Sequence, residues 1–193
     1  MKERIGIYAG TFDPVHQGHL AFAQSAAEQC NLDRVVFLPE RAPRGKRDVT
    51  EFVHRLRLLE IATREMSQAE VLALDSPQFS VAETLPVLQR HYTGSKLVFL
   101  LGSDVVRSSL ANWPDLHVLL SMAELAVGLR EGDTREAVDT MLQGISVQQN
   151  MPVQYAYIES EHADVSSSRI RNGFGEHTHT AVTQYIQDHG LYR

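Results

Sequence analysis

RIGIYAGTFDPVHQGHLAFAQSAAEQC, residues 4–30, holds a strand, a loop and a helix in succession. Arg4 to Gly10 is a short apolar run that ends on glycine, the pattern of a buried strand. His19 to Cys30 places Leu20, Ala23, Ala26, Ala27 and Cys30 at helical spacing. Between them, Asp13-Pro14 predicts a turn, and Gly10 and Gly18 leave room for a ligand to approach the backbone. A buried strand feeding a helix through such a loop is one unit of a βαβ fold.

The same alternation continues outward. Arg34 to Leu38 is a β-branched run closed by Pro39. A polar loop then leads to Thr50, and Glu51 to Met66 reads as a helix with Leu56, Leu59, Ala62 and Met66 inward. Val71 to Leu74 is a short third strand. Ser80 and Glu83 stand at capping-box spacing at the head of a helix toward Tyr92, in which Pro86 predicts a kink or a 3₁₀ turn. Lys96 to Gly102, KLVFLLG, is the clearest buried strand, and Glu124 to Leu129 and Val153 to Ile158 supply two more. Asp133 and Glu136 predict a cap before a helix over Thr134 to Leu142. Ala181 to Asp188 is a last helix, stopped by Gly190. The expected fold is therefore α/β: a Rossmann-like, doubly wound, mainly parallel sheet with helices on both faces, in one domain over 1–193.

Composition sets the outer limits. The chain has 193 residues, 43% hydrophobic and 22% charged, as in an ordinary globular core. A net charge of −6 argues against a general affinity for nucleic acid or an anionic membrane, though not against a local basic site. The lone Cys30 excludes an intramolecular disulfide and a cysteine zinc site. The start of the chain lacks the apolar core of a signal peptide, so a cytoplasmic setting is expected.

Ligands of such sheets bind at the carboxyl ends of the strands, and the polar motifs gather there. In GTFDPVHQGH, residues 10–19, the free N–H groups at the start of the helix favour an anion, and His16 and His19 can donate to phosphate oxygens. A single histidine in such a loop is more often a cap or a surface group. Two around a glycine, after a Gly-Thr-Phe-Asp-Pro loop, reverse that judgement. Their spacing is not that of a helical zinc pair, and neither GxxxxGK[ST] nor GxGxxG occurs. A second polar cluster, Ser166-Ser167-Ser168-Arg169-Ile170-Arg171, offers hydroxyls and a guanidinium suited to phosphate; in isolation it reads as a serine cap beside a surface arginine. Asp104, just after the strongest strand, is either a ligand group or a helix cap, and the lone Trp113 is either a ring-binding surface or core.

GTFDPVHQGH resembles the [T/H]xGH signature of the nucleotidyltransferase superfamily, especially of bacterial nicotinate-mononucleotide adenylyltransferases. Ser166 to Arg171 is similar to the superfamily's ISSTxIR element, with Ser168 at the Thr position. Leu101-Gly102-Ser103-Asp104 resembles its GxD element, and Leu110-Ala-Asn-Trp113 the segment whose Trp lines the acceptor base pocket. Val182 to Tyr192 resembles the C-terminal helix and tail of the pyridine-nucleotide branch. The resemblance implies AMP transfer from ATP, with Mg²⁺, to a pyridine mononucleotide, nicotinate or nicotinamide. It implies phosphate contacts from Gly10, Thr11, Phe12, Gly18, Lys46, Ser166, Ser167, Ser168 and Arg171, catalysis by His16 and His19, ribose contacts from Gly102 and Asp104, and a pyridine contact from Trp113. No resident protein metal site, nucleic-acid partner or membrane partner is expected, and a homo-oligomer is left open.

Two departures bear on the acceptor. The family loop close to Pro-Pro-His-Lys is Pro43-Arg44-Gly45-Lys46 here, preceded by an acid, Glu40. Phe79-Ser80-Val81 stands where Ser-Tyr-Thr is common. Arg44, Lys46 and Arg47 read either as phosphate-directed charge or as a solvated run. The rival readings are a nucleotidyltransferase for another acceptor and a catalytically quiet ATP-binding paralogue. A class I aminoacyl-tRNA synthetase fragment is weaker, for want of length and of a KMSKS-like loop.

Overall fold

The computed structural model describes residues 2–130, 132–161, 167–171 and 178–192. Six strands form one parallel sheet in the order β3-β2-β1-β4-β5-β6. They are β1 (Arg4–Gly10), β2 (Arg34–Pro39), β3 (Ala69–Val71), β4 (Lys96–Gly102), β5 (Ala123–Gly128) and β6 (Tyr155–Ile158). The helices are α1 (Gln17–Gln29), α2 (Phe52–Thr63), α3 (Val81–His91), α4 (Ser103–Ser108), α5 (Leu116–Met122), α6 (Arg135–Gln149), α7 (Ser167–Arg171) and α8 (Thr180–Asp188). This is the doubly wound α/β arrangement that the sequence predicts.

Side-chain alternation along each strand divides the core in two. Ile5, Ile7, Val36, Phe99, Leu101 and Val127 face one way, under α3, α5 and α6. Tyr8, Val35, Phe37, Val98, Leu100 and Ala126 face the other way, under α1, α2 and α8. Val182 of α8 is buried in that second layer, which ties the last helix to the first half of the chain.

Several expectations need correction. β3 pairs with β2 over Ala69–Val71, earlier than the Val71–Leu74 run; Leu72 and Leu74 lie beyond the strand and pack against the first core layer. α3 remains α-helical through Pro86, with no 3₁₀ turn. Ser80 caps it as expected, accepting from the Glu83 N–H at 3.2 Å. α6 is capped by Thr134, not Asp133, whose carboxylate instead accepts from Ser103 Oγ at 2.6 Å and pairs with Arg107. α2 buries Arg55, Leu58, Leu59 and Ala62, an i, i+3, i+4, i+7 face that opens on a charged residue, so Leu56 is not its apolar key. Where α2 meets α8, His54 Nδ1 lies 3.1 Å from the Tyr185 hydroxyl and its ring 5.4 Å from that of His189.

Candidate active site

The crevice follows from strand register. β1 pairs with β2 as far as Gly10 opposite Pro39, and β4 with β5 as far as Gly102 opposite Gly128. Between β1 and β4, pairing stops at Ile7 opposite Phe99. The two central strands therefore part before their ends, at the point where the strand order reverses and a ligand can enter.

The buried loop after β1 fills one side of that opening. Phe12 has φ 49°, a left-handed backbone uncommon for a bulky residue. Its ring is 2% exposed and meets Tyr8, Phe37 and His19 edge-on, with centroids 5.4, 5.8 and 5.1 Å away. That packing offsets the backbone strain and turns the loop toward α1. His16 is the N-cap of α1, buried at 3% exposure, with its ring centroid 3.7 Å from that of His19.

One hydrogen bond decides the chemistry of His19. The His16 backbone N–H donates to His19 Nδ1 at 3.2 Å. A backbone N–H can only donate, so Nδ1 carries the lone pair and the neutral ring bears its proton on Nε2. Burial, then the neighbouring His16, Arg130 and Lys46, hold the His19 pKa well below its ordinary 6.5. His19 is thus a neutral donor beside the first-turn N–H groups of Gln17 and Gly18, which the helix cannot satisfy internally.

Cations approach from two other loops. Lys46 Nζ donates to Thr11 Oγ1 at 2.8 Å, which brings the exposed loop after β2 onto the buried one after β1. Arg130, just past β5, pairs with Asp104 at 3.4 Å and lies close enough to act on the charge of both His19 and Tyr8. Sequence reasoning missed Arg130. It belongs to no motif, and only the pairing of β5 beside β4 brings it to the crevice. Asp104 stands in the first turn of α4 without capping it through its side chain. Gly102 leaves the Asp104 carboxylate and Arg130 free to lie against the backbone, since a Cβ there would press on the Asp104 carboxylate and come within 3.1 Å of Arg130 Nε, and those side chains would have to move aside.

The second motif meets the first through Asp13. Ser167 Oγ donates to the Pro14 carbonyl at 3.0 Å, and Arg171 donates to the Asp13 carbonyl at 2.6 Å and to Ser168 Oγ at 3.2 Å. The buried Asp13 carboxylate accepts from the Tyr192 hydroxyl at 2.7 Å and the Thr50 N–H at 3.4 Å. Ser166 lies outside the described residues. Arg55, 1% exposed, closes the same assembly by donating to the carbonyls of Thr11, Glu40, Arg41 and Thr50 at 2.7–3.1 Å.

Trp113 stands apart from the histidines. It packs on the first core layer and meets the Phe79 ring at 5.5 Å. Phe79 in turn lines a small hollow at the carboxyl ends of β1 and β2, with Ala9, Leu38, Leu72 and Leu74 on its apolar side and Glu40, Gln78 and Thr84 among its polar lining. Among the described residues, no three His, Cys, Asp or Glu side chains come together as a metal cage. No helix among them is long and apolar enough to cross a membrane.

A parted parallel sheet, a donor histidine and converging cations define a class of protein: an α/β protein built to hold nucleotide phosphates. The cytidylyltransferase-like family model matches residues 7–173. A probable nicotinate-nucleotide adenylyltransferase of Neisseria meningitidis serogroup A is 30% identical, over 98% of this chain and 98% of its own. Its namesake in Thermomicrobium roseum is 32% identical, over 98% of this chain and 92% of its own. The chain belongs to the cytidylyltransferase-like family and, within it, to the nicotinate-nucleotide adenylyltransferases. In fold it is similar to Plasmodium falciparum nicotinic acid mononucleotide adenylyltransferase complexed with NaAD, with a TM-score of 0.79 at 20% identity, over 98% and 97% of the two chains.

Proposed function

We propose that this chain transfers AMP from ATP to the phosphate of nicotinate mononucleotide, releasing pyrophosphate and forming the dinucleotide of NAD biosynthesis. The observation that carries the reading is the Nε2–H tautomer of His19, held at the N-terminus of α1 where β1 and β4 part. An acceptor phosphate oxygen attacks the α-phosphorus of ATP, and the bond to the bridging oxygen breaks with its electron pair on pyrophosphate. The nucleophile is already anionic, so positioning and charge stabilisation carry the rate, with no general base.

His19 donates from Nε2 to the α-phosphate and His16 supports it, while the neutral ring avoids drawing the acceptor away from the reaction line. Gly10, Thr11, Phe12 and Gly18 give backbone approach. Lys46 and Arg130 offset charge that grows on the phosphates, an electrostatic role worth most in a site closed to water. Ser166, Ser167, Ser168 and Arg171 hold the triphosphate, Arg171 exchanging part of its present contact with Asp13 for phosphate oxygens. Gly102 and Asp104 take the ribose, and Trp113 with Phe79 takes the pyridine ring. Mg²⁺ would arrive with ATP as the companion of its triphosphate, and when bound it would neutralise phosphate charge. The lone, buried Cys30 suits a cytoplasmic enzyme.

The test is pyrophosphate release from Mg-ATP with nicotinate mononucleotide, nicotinamide mononucleotide or 4′-phosphopantetheine. Release with a pyridine mononucleotide is expected. Release only with 4′-phosphopantetheine, or with none of the three, overturns the proposal.

A further inference from the structure

A buried acid stands in the loop that carries the phosphate donors. Asp13, 4% exposed, comes three residues before His16. Such a carboxylate needs hydrogen-bond donors, and its charge would otherwise repel a triphosphate. Among the described residues, the Tyr192 hydroxyl is the one donor that meets it at short range, on Oδ1 at 2.7 Å. At Oδ2 the Thr50 N–H is 3.4 Å away and the Arg171 guanidinium 4.0 Å, too far for a hydrogen bond. Arg171 donates instead to the Asp13 carbonyl at 2.6 Å and to Ser168 Oγ at 3.2 Å. Arg55 feels the Asp13 charge but directs its donors to backbone carbonyls.

The segment after α8 delivers that hydroxyl. The Leu191 N–H donates back to the Ile186 carbonyl at 3.0 Å, and Tyr192 has φ 57°, a left-handed backbone uncommon for a bulky residue. Leu191 and Tyr192 both pack on the second core layer, which holds the turn in place. Burial above all, with the carboxylate adding to it, pushes the Tyr192 phenol up, so it keeps its proton and stays a donor.

We infer that Tyr192 is a positioning residue for Arg171: its hydroxyl occupies the Asp13 carboxylate and so leaves the guanidinium free to turn to the phosphates of ATP. This rests on the adenylyl-transfer reading, in which Arg171 holds the triphosphate. Without the hydroxyl, Asp13 loses its short donor, and Arg171 is the cation 4.0 Å away. Closing that gap makes a charge-assisted pair that competes with phosphate for the same guanidinium. ATP then binds less well, while the acceptor is untouched.

The experiment measures kcat and the KM values for ATP and nicotinate mononucleotide in the wild-type protein, Tyr192→Phe, Arg171→Ala and the double variant, with melting temperatures alongside. Tyr192→Phe keeps the packed ring and removes the hydroxyl alone. Its KM for ATP is expected to rise about fivefold to tenfold, the scale of one hydrogen bond to a charged group, with kcat and the acceptor KM moving far less. In the Arg171→Ala background the same change should add almost nothing, because the group through which it acts is gone. If Arg171→Ala does not fold, Arg171→Met keeps the stem of the side chain and completes the same cycle. An unchanged KM for ATP in Tyr192→Phe, whatever its melting temperature, removes this role from Tyr192 and leaves adenylyl transfer standing. An equal further rise in the double variant does the same. Wild-type protein that releases no pyrophosphate with a pyridine mononucleotide removes the transfer reading, and this inference with it.

Discussion

The loops that leave β1 and β2 start on neighbouring strands, face the same crevice and are built in opposite ways. Residues 11–16 are buried throughout, and Phe12 there accepts a left-handed backbone in return for aromatic packing. Residues 41–48 are exposed except for Pro43, and they carry Arg41, Arg44, Lys46 and Arg47. The first loop fixes donors whose direction matters: the His19 ring is set by a backbone bond and by its neighbours. The second loop brings charge, which acts at a distance and needs less exact placement. Lys46 to Thr11, Thr50 to Asp13, and above all Arg55 join the two.

Removing that junction should cause the largest loss. Arg55→Ala leaves buried carbonyls without their donor on both loops, and each such group costs about 1–3 kcal/mol. Urea unfolding is expected to register a loss of about 3 kcal/mol or more. A loss under about 1 kcal/mol would mean that the loops are held independently. Next comes His19→Ala, which takes the directed donor from the rigid loop while the exposed loop keeps its charges. Turnover should fall about 10²-fold or more, the scale of losing one donor to a developing oxyanion. A folded His19→Ala variant with wild-type turnover would show that the buried loop is scaffold alone.

How far this division was legible in the sequence depends on which force fixed each part. β1 and β4 have the predicted bounds, because their apolar runs are buried on both faces and nothing competes with that pattern. The histidine loop was legible because its chemistry is local: His16, Gly18 and His19 lie within one helical turn of each other. Arg55 was hidden. A charged residue on the buried face of α2 contradicts the hydrophobic pattern, and its partners are backbone carbonyls that leave no trace in sequence. Arg130 was hidden for another reason. Strand pairing across the sheet assembles its surroundings, and no spacing along the chain records it. α4 and α5 were missed because each is short and packed by its tertiary neighbours rather than marked by periodicity.

The exposed loop is the softer partner, and Lys46→Ala tests how soft. Removing one exposed cation should lower kcat/KM by about tenfold, less than the loss at His19, and mostly through the KM for ATP. Lys46→Arg should recover much of it if charge alone is needed. Failure of Lys46→Arg alongside a loss as deep as that of His19→Ala would erase the contrast between the loops, because Lys46 would then be a directed donor too.

The smallest effect is the most specific to the rigid loop, and it appears in stability against pH. His19 holds its proton weakly in the folded protein, through burial first and then through the neighbouring His16, Arg130 and Lys46; in the unfolded chain it titrates near 6.5. Below that pH the unfolded state binds the extra proton and the folded state resists it. The contribution of His19 to stability is therefore complete above about pH 6.5 and is lost as the pH falls, with a slope of at most about 1.4 kcal/mol per pH unit. His19→Asn keeps an acceptor near the His16 N–H and removes the titration. Between about pH 7.5 and 5.5, wild-type stability should fall more steeply than that of His19→Asn, the difference cancelling the other titrating groups. Parallel slopes would mean that His19 takes up its proton as easily in the fold as out of it. Burial in the rigid loop would then not be what keeps the ring neutral.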